Sequence, residues 1–403
     1  MTSVRALAHL LREAQAGSPE DVVANLANGA ATLGGHDLVL YLIDYDQQVL
    51  QPTPEQLANG EPVPTASVHG TMAGRCFATQ TLLEAPLDDG RAQLWVPVSE
   101  RAERLGVLTM TVDAPDDQGR ALAVELGLLA ALLVLTASAY CDRFHLQRRR
   151  KDLSLAAEMQ WGLLPPLSFS FEGTTVAGLL EPAYEVGGDC FDYALNEGIV
   201  SLAVFDAMGH GVHSSVVSGL AVGAYRHARR KNVPLPALFD TMDRASAGLM
   251  GDSFVTALAA ELDVATGRLS WVCAGHPSPL IFRDGSMLPE MALSPTLPLG
   301  LALSFGELES SVAQVALQPG DRVLLYTDGV VEARDPAGEE FGLGRLADHF
   351  VRESSSGLLA SEILRRLVRT CLEFQGAQLR DDATLLLLEW AGPPQQVAAQ
   401  RPA

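Results

Sequence analysis

Apolar positions recur along this chain with two spacings, and the changes between them mark its elements. Ser18-Pro19-Glu20-Asp21 offers an N-cap hydroxyl, a proline at the first helical position and two acids in the first turn. The helix that follows carries Val22, Val23, Leu26 and Ala30 on one face. Residues 38–44, LVLYLID, read as a strand closed by Asp44, and residues 72–79 as a short helix. Residues 94–100 and 106–113 read as two antiparallel strands joined by the polar stretch 101–104. From 116 to 164 the spacing is helical, as one long helix or two in register. Leu122, Leu126, Leu129 and Leu133 fall at coiled-coil intervals, Thr136 and Tyr140 continue the phase, and Leu155, Met159 and Leu163 form a later stripe. Pro165-Pro166 stops the helix.

Past the prolines the pattern changes to strands with helices between them. Ile199 to Phe205 is an apolar run that reads as a buried strand. Residues 212–230, 235–250 and 363–374 read as helices. Residues 253–275 read as a hairpin turning at Asp263 to Gly267, and PLIFRDGSM as a further strand with an Asp-Gly turn. No parallel βαβ repetition is present, so the expected fold class is α+β, with a sandwich of strands flanked by helices. The expected divisions are a domain at 1–118, a linker helix at 119–164, a second domain at 165–391 and a disordered tail at 392–403.

Composition narrows the setting. The 403 residues are 48% hydrophobic and 19% charged, which describes a globular chain with room for two cores. A net charge of −21 argues against a nucleic-acid partner. Five cysteines without paired spacing fit a reducing cytoplasm, and Cys190 reads as a small buried residue. The first residues lack a signal-peptide core. Residues 121–141 are long enough to span a bilayer, but Glu125 interrupts them, and the expectation is no membrane partner. The arginine-rich run 148–151 reads as a solvated face.

The chemistry lies in acidic residues at strand ends. Asp189 follows Gly187 and Gly188; Asp206 ends the apolar run and precedes Gly209 and Gly211. Asp328 follows the strand DRVLLYT and precedes Gly329; Asp381 and Asp382 stand just before another strand. A lone Asp-Gly is usually a turn. Four stations in these contexts would present carboxylates and a backbone carbonyl to a hard divalent cation.

The ordered set GGDCFDY, FDAMGHG, AGHPSPLI, LPLG, YTDGVVEA and RDDATLLLL resembles the SpoIIE-like (RsbU-like) branch of the PPM metal-dependent protein serine/threonine phosphatases, over about residues 152–390. The resemblance implies two Mn²⁺ or Mg²⁺ ions. Asp206 would bridge them; Asp189 and the Ala207 carbonyl would bind one, and Asp328 and Asp381 the other. It implies hydrolysis of phosphoserine or phosphothreonine by in-line attack of water, with Asp189 and Asp206 as the catalytic residues. Asp382 would orient the site or bind another ion. Met208 stands where some relatives place an acidic histidine. His210 and His213 read as helix-start or packing residues, and His276 as a structural hydrogen-bonding residue. The implied substrate is a phosphorylated STAS-domain anti-sigma-factor antagonist in partner-switching. A non-catalytic scaffold on a phosphatase-like fold, and a small-phosphoester hydrolase, are the alternatives.

The N-terminal order of LYLID, GTMAGRCF and a VPV…GVLTM hairpin resembles a GAF sensory domain. That implies regulation by an unidentified small-molecule ligand. Met72, Phe77 and Trp95 are candidate pocket residues, with core packing as their favoured use. The string LAAEMQWGLLPP resembles the switch-helix entry of RsbU-like phosphatases, and a homodimer through the 119–164 helix is expected.

Overall fold

The computed structural model describes residues 3–32, 34–53, 61–185, 187–291, 293, 296–301, 310–376 and 381–393. The chain forms two compact units, Met1–Asp152 and Leu153–Ala403. The tail expected at 392–403 lies almost wholly outside the described residues.

The first unit contains the helices α1 (Ser3–Ala16), α2 (Val22–Thr32), α3 (Met72–Thr79), α4 (Asp117–Ser138) and α5 (Arg143–Gln147). Its strands are β1 (Gly35–Ile43), β2 (Val49–Thr53), β3 (Ala66–Ser67), β4 (Leu83–Pro86), β5 (Arg91–Glu100) and β6 (Glu103–Asp113). They form one antiparallel sheet in the order β3-β2-β1-β6-β5-β4. Because side chains alternate along a strand, the sheet buries two different faces. Leu40, Leu42, Leu94, Val96, Leu108 and Met110 pack under α2 and α4. Ile43, Leu50 and Val107 pack with Cys76 and Phe77 of α3. Phe77 and the half-buried Trp95 thus serve core packing.

The helix expected over 116–164 is instead three helices. α4 ends at Ser138, α5 is short, and α6 (Leu155–Leu163) starts afresh on the Ser154 hydroxyl, which accepts from the Ala157 N–H at 3.1 Å. Nor do Leu126, Leu129 and Leu133 form a free seam: they are buried in the core of the first unit. The exposed stripe of α4 is Val124, Leu128, Leu132 and Leu135. A helix that is apolar nearly all round has no single phase, so periodicity alone picked the wrong face. α4 is also the one described helix long and apolar enough to cross a membrane, and half of that stretch is buried within its own unit. The arginine run is not simply solvated. The Arg148 Nε donates to the Ile43 carbonyl at 3.0 Å, and its guanidinium lies 4.7 Å from the Tyr45 ring centre. Arg150 pairs with Asp44 at 2.6 Å and also with Asp46.

The second unit is a sandwich of two antiparallel sheets. One contains β9 (Asp189–Asn196), β10 (Ile199–Ala207), β11 (Val255–Asp263), β12 (Arg268–Ala274) and β15 (Ala313–Ala316), in the order β15-β12-β11-β10-β9. The other contains β7 (Ser168–Phe171), β8 (Thr174–Glu181), β13 (Leu280–Arg283), β14 (Ser286–Met287), β16 (Asp321–Tyr326) and β17 (Ala383–Trp390), in the order β14-β13-β16-β17-β8-β7. Phe191, Leu202, Val204, Leu258, Trp271, Val323, Leu386 and their neighbours fill the space between the sheets. α7 (Val212–Arg230) and α8 (Leu235–Ser246) cover the outside of the first sheet. The helices Gly342–Ser354 and Ala360–Gln375 cover the outside of the second. The layers therefore run helix, sheet, sheet, helix, and the mixed α+β class expected from the pattern is the one observed.

Candidate metal centre

The site begins with a tight hairpin. Glu197 and Gly198, both with positive φ, turn β9 back into β10, and the register sets Asp189 directly opposite Asp206. Adjacent residues across an antiparallel pair lie about 4.5–5.5 Å apart, so this register places two carboxylates side by side. Ala207 ends β10, with 1% of its surface exposed.

The remaining acids arrive from the other sheet. Asp328 opens the short helix Asp328–Val331 directly after β16, and Asp381 and Asp382 precede β17. The loops approach so closely that only glycine fits. A Cβ on Gly188 would lie 2.2 Å from the Ala207 carbonyl oxygen, and one on Gly329 would lie 1.9 Å from the Asp382 carbonyl oxygen.

Asp382 is the anchor of this junction. Its Oδ2 accepts from the Gly187 and Gly188 N–H groups, each at 2.7 Å, and from the Asp189 N–H at 3.3 Å. Three backbone donors on one carboxylate oxygen hold the glycine loop that leads into Asp189. Orienting the site is therefore the role its geometry displays. Thr327 supports Asp189 from the other sheet: its hydroxyl donates to Asp189 Oδ2 at 2.6 Å and accepts from the Thr384 N–H at 2.9 Å. The Thr256 hydroxyl donates to Asp206 Oδ2 at 3.4 Å. From α6, the buried Gln160 side chain donates to the Asp189 carbonyl at 2.5 Å.

Sequence reasoning missed Thr327, Thr384, Thr256 and Gln160. The first two flank the acids in YTDG and RDDAT, a spacing that could have been read; the other two leave no local signal. Two histidines near the site have plain surroundings. His213 Nε2 is 3.0 Å from the Ser253 hydroxyl, and the exposed His210 backs onto Gly187. His276 is buried, bonded to the Pro277 carbonyl at 3.0 Å and pushed down to about 4 by desolvation, so it is neutral at pH 7.

The electrostatics are one-sided. Burial pushes Asp206 up to about 7, with Asp328 and Asp381 adding repulsion. Burial, then Asp206 and Asp382, hold Asp189 well above the usual carboxylate range. Asp382 rises to about 6 through burial, although the three N–H groups oppose it, and Asp328 is raised by burial and then by Asp381. The largest charge effects among these acids come from one another: Asp328 and Asp381 on Asp206, Asp206 and Asp382 on Asp189, and Asp381 on both Asp328 and Asp382. Asp189 and Asp382 lie deep, Asp206 is half-buried, and Asp328 and Asp381 stand at the mouth. As they stand, no three described His, Cys, Asp or Glu side chains are gathered closely enough to hold an ion. The chemistry of the set nevertheless fits one: an all-oxygen cluster of acids that repel one another, packed against a buried carbonyl, suits Mg²⁺ or Mn²⁺.

A helix-flanked sheet sandwich with carboxylates at one end is the arrangement that the resemblance to PPM (PP2C-type) phosphatases implies. Residues 196–391, just under half of the chain, match the family model for Stage II sporulation protein E (SpoIIE); Asp189 lies just before the matched span. The phosphoserine phosphatase RsbP of Bacillus subtilis is 27% identical over 214 residues, covering 52% of this chain and 51% of RsbP. The chain thus spans about half the length of that relative. The phosphoserine phosphatase RsbU of the same organism is 21% identical over 247 residues, 60% of this chain and 71% of RsbU. Among solved structures, the SiaA-PP2C domain of Pseudomonas aeruginosa is 24% identical, covers 58% of this chain and 94% of its own, and gives a TM-score of 0.49.

Proposed function

We propose that the chain is a Mn²⁺- or Mg²⁺-dependent protein serine/threonine phosphatase of the cytoplasm, acting on a phosphorylated STAS-domain anti-sigma-factor antagonist. The observation that carries this reading is the meeting of Asp189, Asp206, Asp328, Asp381 and Asp382 at one end of the sandwich, where the acids repel one another. In it, Asp189, Asp206 and the Ala207 carbonyl would hold one ion, and Asp206, Asp328 and Asp381 would hold a second. The ions would neutralise the phosphate and activate water near neutral pH. The chain's own part is positional. The hairpin register fixes the two central acids, Asp382 holds the glycine loop, and Thr327 fixes the face that Asp189 presents.

The first unit is read as a GAF-like regulatory domain. Its output would reach the site through α6, whose Gln160 holds the Asp189 carbonyl. Arg226 of α7 binds the end of the same helix through the Leu163 carbonyl at 2.6 Å. The proposed homodimer uses the exposed stripe of α4. Leu128→Glu with Leu132→Glu is expected to give a monomer by light scattering without unfolding the chain, whereas Leu129→Glu should unfold the first unit. A dimer that survives the double change removes this face.

The direct test is phosphate release from a phosphoserine STAS protein with Mn²⁺ or with EDTA, for wild type and Asp206→Asn. Metal-dependent release lost in the variant supports the enzyme. Wild type and residues 153–393 both remaining silent would favour a scaffold.

A further inference from the structure

The first unit holds a cavity of about 310 Å³ between α2, the ends of β5 and β6, and the opening turns of α4. Small-molecule sites run from about 300 to 1,000 Å³, whereas well-packed interiors keep few voids larger than a water. One side of it is apolar, with Leu94, Met110 and Val112 from the sheet and Leu122 and Leu126 from α4, and the other side is polar, around Asp113, Asp116 and Gly119. The space exists because three elements bring small residues to it, Ala30 from α2, Gly35 from β1 and Ala123 from α4. A Cβ on Gly35 would sit 3.0 Å from the Met110 sulfur and 3.3 Å from the Ala30 Cβ, closing the gap between those walls. The cavity lies on the sheet face opposite α3, away from Phe77 and Trp95.

Charge at the mouth selects the guest. Asp113 and Asp116 line it. Two arginines on the adjoining elements are already committed. Arg91, in register opposite Asp113, pairs with Asp89 at 2.7 Å. Arg120 pairs with Glu84 at 2.8 Å and Asp117 at 3.2 Å. Asp116 spends one oxygen on the Gly119 N–H at 2.7 Å, capping α4. A phosphate or carboxylate would meet two acids here, while an ammonium group would meet Asp113, for which no partner is seen among the described residues.

We propose that this cavity is a binding site for a compact apolar molecule, and that it prefers one that is uncharged or carries a positive charge over an anion. The site rests on the sensor reading for its purpose alone, since binding is measured without any phosphatase readout. Its position gives that purpose a route: α4 supplies one wall of the cavity and, on its other face, the exposed stripe of Val124, Leu128, Leu132 and Leu135.

The test titrates the full chain with n-hexylamine, n-hexanol and hexanoate while following the Met110 methyl resonance. Amine and alcohol are expected to shift it saturably, and the amine to bind more tightly than hexanoate by roughly two- to five-fold, the worth of an exposed charge pair. Leu122→Trp should abolish the shift by filling the mouth. The surface change Asp113→Lys, which leaves the core alone, should reverse the preference toward hexanoate. No saturable shift with any of the three, an undiminished shift in a folded Leu122→Trp, or a wild-type preference for hexanoate overturns the proposal.

Discussion

Asp44 and Asp206 occupy the same kind of place: each ends an apolar strand and begins a turn. Their surroundings are opposite. Asp44 accepts from the Gln48 and Val49 N–H groups at 2.8 and 3.0 Å and pairs with Arg150 at 2.6 Å. Asp206 faces Asp189 across the hairpin, with Asp328, Asp381 and Asp382 adding to its repulsion. One strand-end aspartate is answered by an arginine within its own unit, and the other stands among carboxylates that repel it. A strand-end aspartate therefore becomes a site through the company it keeps, not through its local motif.

Five experiments would break or sharpen that contrast. The largest effect is expected from Asp206→Asn, which should lower metal-dependent phosphate release by more than about 100-fold, since even residues behind a metal ligand cost 10–100-fold. The same assay on Asp44→Asn should show intact chemistry, with a loss of about 1–3 kcal/mol in denaturant unfolding from the weakened charged hydrogen bonds. If Asp44→Asn abolishes release and Asp206→Asn does not, the contrast is wrong. Asp382→Asn should weaken Mn²⁺ by roughly 10–100-fold by calorimetry, because the glycine loop loses a charged acceptor. Thr327→Val should cost less, about ten-fold in the same titration, leaving the Thr384 N–H without its acceptor.

The smallest effect is a dependence on pH. Asp206, Asp189 and Asp382 have folded pKa values above those of the unfolded chain. The folded state then holds more protons between the two, so this contribution is full below about pH 4. It is lost as pH rises through about 6 for Asp382 and about 7 for Asp206. Melts in EDTA should show the second unit less stable at pH 7.5 than at pH 5, and Mn²⁺ should recover more at the higher pH. A metal-free melt that is flat between those values would contradict the mutual repulsion of these acids.

Much of this was legible in the sequence. The run Ile199 to Phe205 declared β10, the 253–275 hairpin turned where its Asp-Gly spacing said it would, and all the acidic stations could be named. The pairing of Asp189 with Asp206 could not. DCFDYALN mixes polar and apolar residues and looks unlike a strand until its partner is known. Gln160 was equally hidden, because one amide on an apolar helix carries no period. At α4 the difficulty was an excess of signal: apolar residues on two faces offered two seams, and only packing against the sheet decides which is covered. Arg148 and Arg150 looked like a solvated run because their acceptors lie about a hundred residues earlier.

The close approach of Gly188 to the Ala207 carbonyl, and of Gly329 to that of Asp382, has a genetic consequence. In a saturation library selected for signalling, these two positions should be blank. Every side chain begins with a Cβ, so no substitution is conservative there. The aspartates should be blank as well, but for another reason: asparagine there keeps the fold and loses the charge. Two of the most intolerant positions of the centre would thus be residues that never touch an ion, and a scan reading only for lost ligands would overlook what lets the two sheets meet.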